Sequence, residues 1–169
     1  MADSYATGTV VPFLHPTEEV FEIFKGLSRD PEDSYPDSVR ALIPEDWTDA
    51  DDDEENFLTE EMQQAFQALG WEFSEGDKEK GVYLFCEDGG TPDEVVDIVQ
   101  WFLAHDTEDT PWATFEIAFT CSKTRPGQFG GGAWFITKDS AEASGTAVWL
   151  HQKAEEWKAV QKEGPRPTC

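Results

Sequence analysis

Basic residues are scarce in this chain: 12 Lys and Arg stand against 36 Asp and Glu, a net charge of −24 over 169 residues. No Lys or Arg occurs from Ala41 to Asp77, or again from Gly81 to Ser122. A surface so poor in cations cannot neutralise phosphates, so direct binding to nucleic acid is not expected. Anionic lipid would repel it in the same way. Cysteine is also scarce. Cys86, Cys121 and Cys169 form an odd set without CxxC spacing, so neither a disulfide framework nor a thiolate zinc site is indicated. Cys86 and Cys121 close apolar runs and read as small core residues. No apolar run approaches the roughly 18 residues that a membrane span needs. Residues 1–16 lack the cationic and apolar regions of a signal peptide. These absences together predict a cytoplasmic protein.

Catalytic signatures are missing as well. His15, His105 and His151 show no HxxxH or HxxE grouping and read as structural or exposed, and no local motif pairs a cysteine with a histidine. Lys123 and Arg125 sit beside Gly127, Gly130, Gly131 and Gly132, but the segment is not GxxxxGK[ST] and precedes a strand rather than a helix. It reads as a hairpin loop. No catalytic residue, metal or cofactor is expected.

What the chain does have is acid, unevenly placed. Residues 1–122 hold 31 acidic against five basic residues, and residues 123–169 hold five against seven. Adaptation to high salt would scatter acids evenly, so this lopsidedness speaks for a specific partner. A globular chain of this length is about 40 Å across. Spread over that distance, the net charge amounts to roughly one per 1.7 Å, close to the axial density of duplex DNA. Aromatics are also plentiful, with seven Trp and twelve Phe. A disordered acidic chain is depleted in such residues, so most of this one folds.

Apolar spacing predicts helices over residues 18–27, 60–69, 92–104 and 146–161, with one or two helical turns over 37–43. Thr17 and Thr59 stand at N-cap positions, and Thr91-Pro92-Asp93-Glu94 has the order of a capping box. Strands are expected over 71–73, 81–86, 114–121 and 133–138. In the third, Phe115, Ile117, Phe119 and Cys121 alternate with Thr114, Glu116 and Thr120. The expected fold is α+β: N-terminal helices followed by ββαββα, an antiparallel four-stranded sheet with helices packed on one face. The division expected is an acidic N-terminal arm with short helices and an acidic loop over 1–57, a core over 58–163 and a tail over 164–169.

Asp49, Asp51, Asp53 and Glu60 match positions 1, 3, 5 and 12 of a calcium-binding EF-hand loop, but Glu54 stands where that loop needs glycine and Asn56 where it is apolar. Metal binding is therefore not the expectation. The same acids suit phosphate imitation better. Carboxylates four apart on a helix, as at Glu18 and Glu22 or Asp93 and Asp97, are about 6 Å apart along its axis. That is comparable with successive phosphates, and a groove that tracks a nucleic-acid backbone would meet a similar potential. The candidate partner-binding residues are Glu45, Asp46, Asp49, Asp51, Asp52, Asp53, Glu54 and Glu55, extended by Glu60, Glu61, Asp93, Glu94 and Asp97. Trp47 is the candidate exposed anchor among them, its alternative being to fold back onto the body.

In charge, size and lack of catalytic motifs the chain resembles the small acidic anti-restriction and anti-CRISPR proteins of phages and mobile elements. The resemblance rests on those general features and on no sequence motif. It implies a non-enzymatic DNA-mimic inhibitor that occupies the basic nucleic-acid channel of a host protein, in the host cytoplasm. The alternative is an acidic accessory module for a basic protein partner, with which nucleic acid does not compete.

Overall fold

The computed structural model describes residues 4–29, 41–48, 58–73, 81–87, 92–121 and 130–163. Six strands form one antiparallel sheet: β1 (Ser4–Val11), β2 (Leu69–Phe73), β3 (Val82–Glu87), β4 (Ala113–Cys121), β5 (Gly130–Thr137) and β6 (Ser140–Gly145). Their spatial order is β2-β3-β1-β4-β5-β6. Four α-helices accompany them among the described residues: α1 (Glu18–Arg29), α2 (Glu60–Ala68), α3 (Pro92–Ala104) and α4 (Thr146–Glu163). The class is α+β, as the sequence predicts, but the sheet has six strands where four were expected.

The two additional strands correct the reading of the chain's organisation. Residues 4–11 are not part of an arm. They form an interior strand, β1, whose register with β4 runs from Ser4 opposite Cys121 to Val11 opposite Thr114, while Thr7, Gly8 and Thr9 pair with β3. Gly8 is required there. A Cβ at that position would lie 2.7 Å from the Phe115 ring and 2.8 Å from the Glu116 carbonyl oxygen. β6 is the second addition. It pairs with β5 from Gly132 opposite Gly145 to Thr137 opposite Ser140, and forms an edge of the sheet.

Strand alternation divides the sheet into two unlike faces. Val10, Leu84, Cys86, Phe115, Ile117 and Ile136 point to the face that α1, α2 and α3 cover. Phe24 of α1 meets Phe66 of α2 at 5.8 Å and Phe102 of α3 at 5.1 Å between ring centroids, so three helices share one aromatic centre. Each such pair adds about 0.5–1.5 kcal/mol beyond area burial. The helix starts behave as their sequence demands. Thr17 accepts from Val20 N and Thr59 from Met62 N, both at 3.4 Å.

A polar latch fixes the turn between β1 and α1. Leu14 and Val82 exchange two backbone hydrogen bonds, and the Asp106 carboxylate accepts from His15 N at 2.8 Å. The other sheet face is open among the described residues. Every described side chain of α4 is exposed, Val148, Trp149 and Leu150 included. Among the described residues no helix is long and apolar enough to cross a membrane.

Candidate acidic interface

Residues 45–47 (Glu-Asp-Trp) form a single 3-10 turn that follows Pro44, with Trp47 N donating to Pro44 O at 3.1 Å. Trp47 corrects the sequence reading. It is only 4% exposed, so it is not an exposed anchor. Its ring stands edge-on to Phe66 of α2 at 5.9 Å and to Trp101 of α3 at 5.5 Å. Trp101 in turn donates its indole N–H to Leu42 O at 2.9 Å. The 3-10 turn is thus stapled to the body by its own tryptophan, and that staple places Glu45 and Asp46.

Glu45 and Asp46 flank the staple and are exposed. Asp93 and Glu94 occupy the first turn of α3, where the helix dipole favours negative charge, and Asp97 lies one turn further on. The carboxyl of Asp97 is pushed above its ordinary range, first by burial and then by the charges of Asp46, Glu94 and Asp93. Although the side chain as a whole is exposed, it borders a hollow of about 460 Å3 with Asp46, Trp47, Trp101 and Lys138. Glu94 has one carboxylate oxygen buried without a hydrogen-bond partner among the described residues. Two separate segments therefore bring four of the sequence-predicted carboxylates together.

Glu60 and Glu61 join this edge from a third segment. Thr59 N donates to Trp47 O at 2.9 Å, which ties the start of α2 to the 3-10 turn. Glu60 and Glu61 are exposed in the first turn of α2, and Glu60 accepts from Gln64 at 3.2 Å. Among the described residues none of Glu45, Asp46, Glu60, Glu61, Asp93, Glu94 or Asp97 is in an ion pair. The pair Glu18 and Glu22 differs, because Glu22 pairs with Lys25, which also stands 5.3 Å from the Phe21 ring centroid. Thr48 and Leu58 form an isolated bridge. Asp49, Asp51, Asp52, Asp53, Glu54 and Glu55 fall between them, outside the described residues, and so does most of the EF-hand-like spacing. Among the described residues no group of three His, Cys, Asp or Glu is placed to hold a metal ion.

The open sheet face carries a second feature, which the sequence reading missed. A groove of about 850 Å3 crosses it, with Thr7, Thr9, Ala118, Gly131 and Ala133 in its lining. Tyr83 and Phe85 wall it on the β3 side, their rings stacked at 5.8 Å, and Trp149 of α4 lines it near β6. Gly70 lets the Phe85 ring lie over β2, since a Cβ there would be 2.4 Å from that ring. Among the described residues, Glu72 and Glu116 are its only charged lining residues. The alternation of β4 places Glu116 outward, but its neighbours become visible only once β1 is known to be a strand.

No protein-family model, curated protein or solved structure matches this chain. Its function must be read from its own surface.

His105 Nδ1 lies 2.9 Å from Trp101 O, and the backbone N–H of His15 belongs to the latch with Asp106, while the His15 ring Nδ1 is buried without a hydrogen-bond partner among the described residues. Cys86 is buried, and that burial pushes its thiol above the ordinary range, against a smaller lowering by the Gly8 backbone. A thiol held protonated in this way is a poor nucleophile.

Proposed function

We propose that this protein is a non-enzymatic, DNA-mimicking inhibitor that occupies the basic nucleic-acid channel of a partner protein. It acts in the cytoplasm, in the manner of phage and mobile-element anti-restriction and anti-CRISPR proteins. The observation that carries this reading is the convergence of Asp46, Asp93, Glu94 and Asp97 on one edge, with none of them in an ion pair among the described residues; burial first, and then the charges of the other three, push the Asp97 carboxyl up. Carboxylates that repel one another within a folded chain destabilise it, and a cationic partner relieves that repulsion. The first turn of α2 presents two further carboxylates, Glu60 and Glu61, and carriage on helices preorganises the surface for a phosphate-binding groove.

The test is neutralisation. A variant carrying Asp46→Asn, Asp93→Asn and Asp97→Asn keeps the fold, because all three side chains are exposed. It should lose at least tenfold in affinity for the captured partner, and wild-type affinity should fall steeply with salt. Unchanged affinity in the variant would remove this edge from the interface.

A second reading, an accessory module for a basic protein with no nucleic-acid competition, draws support from the open sheet face. Val11, Trp112 and Phe135 are 50%, 43% and 47% exposed there, apolar surface that a pure phosphate mimic has no use for.

A further inference from the structure

We infer that the groove on the open sheet face is a second binding site, and that its occupant is a cationic segment of a partner protein carrying arginine side chains. The inference rests on the reading of a basic partner given above, and adds where one of its segments is held.

Strand register builds the site. Gly70, Phe85, Thr9, Glu116, Ala133 and Ser144 stand opposite one another in a single row across all six strands. The middle of that row is floored by small side chains, and its one charged member is Glu116. In the adjacent row Glu72 stands opposite Tyr83, and Phe135 opposite Glu142. The axes of β3 and β6 are four strand spacings apart, about 19 Å. That leaves room between the aromatic walls for one chain, extended or helical, since a helix is about 10 Å thick.

The chemistry of the walls selects the occupant. Stacked Tyr83 and Phe85 offer ring faces, and Glu72 and Glu116 offer carboxylates that no described residue pairs. A guanidinium stacks on an aromatic ring and donates to a carboxylate in its plane, a combination that suits arginine better than lysine. Charge argues against two other occupants. A second copy would set Glu72, Glu116 and Glu142 against their own equivalents, on chains that each carry −24. Nucleic acid would meet the same carboxylates and, among the described residues, no cation in the lining.

The experiment uses the full chain, a labelled nona-arginine peptide as the probe, nona-lysine as its comparison, and backbone amide NMR shifts as the readout. Saturable shifts should cluster at Thr7, Thr9, Glu116, Ala118 and Ala133, with nona-arginine binding more tightly than nona-lysine. Glu116→Gln and Phe85→Leu should each weaken nona-arginine at least fivefold, whereas Asp93→Asn with Asp97→Asn should change it less than twofold. The exposed Glu116 gives a variant that folds even if Phe85→Leu does not. Shifts confined to α3 and the 3-10 turn, lost on neutralising Asp93 and Asp97, would overturn the groove while leaving the acidic edge as the interface. Absence of saturable binding would also overturn it, and the partner reading would then stand or fall on its own capture assay.

Discussion

Replacing Trp47 with alanine tests whether one side chain sets the geometry of the acidic edge. The ring is 4% exposed and packs on both Phe66 and Trp101. Truncating a buried tryptophan removes its transfer free energy and leaves a cavity, at a cost of about 3–5 kcal/mol. Domains of this size are stable by about 5–15 kcal/mol and lose roughly 2–4 °C in Tm per kcal/mol. Trp47→Ala should therefore melt on the order of 10 °C lower, and Trp47→Phe, which keeps an aromatic in the slot, should recover more than half of that. Thermal unfolding followed by near-ultraviolet circular dichroism at fixed ionic strength reads both. The same truncation frees the turn bearing Asp46 from α3, so the upward displacement of the Asp97 carboxyl should shrink, readable by NMR titration. A Tm within about 2 °C of wild type would refute the staple.

Three further outcomes follow from the structure. Asp97→Asn should stabilise the fold at neutral pH by about 0.2–0.5 kcal/mol, the size of a like-charge i,i+4 pair, and less at high salt. The folded-state pKa of Asp97 is raised, so the native state binds its proton before the unfolded chain does. Wild type therefore regains this stability as pH falls through the raised pKa, and the advantage of the variant, followed by urea unfolding, should vanish below the ordinary carboxylate value. Gly8→Ala should destabilise by about 1–3 kcal/mol in the same assay, because the added carbon meets Phe115 and a backbone carbonyl in a packed core. Asp106→Ala should cost about 1–3 kcal/mol, since the carboxylate accepts from the backbone N–H groups of His15, Glu108 and Thr110; amide exchange at His15 should quicken.

The first three helices were legible because each buries a stripe at helical spacing, whereas the described side chains of α4 are all exposed. Thr17 and Thr59 cap α1 and α2 as their positions imply. The strand alternation of β4 was legible for the same kind of reason. β1 was not. Its inward positions are Ala6, Gly8 and Val10, kept small where Phe115 crosses beneath them, so an interior strand shows no large apolar alternation. β6 is an edge of Ser, Ala, Glu and Gly with every residue from 140 to 144 exposed, and carries no apolar pattern. Gly130, Gly131 and Gly132 suggested loop, yet they lie in β5, opposite Phe119, Ala118 and Ile117.

Of the candidate site, the charge and its helix-borne members could be read directly from the sequence. The fate of Trp47 could not, because its partners Phe66 and Trp101 are distant in the chain, and an acidic neighbourhood predicts exposure. The groove was invisible for a related reason. Its floor is assembled from β1, β4 and β5, and two of these were misread or only partly read as strands.

The most direct test of the central claim is capture of partners by the tagged chain from bacterial lysate, with and without excess duplex DNA. The account predicts recovery of a basic, nucleic-acid-handling protein that the duplex displaces and that the neutralised Asp46, Asp93 and Asp97 variant fails to retain. A partner held equally well in the presence of duplex DNA would contradict mimicry and favour the accessory-module reading.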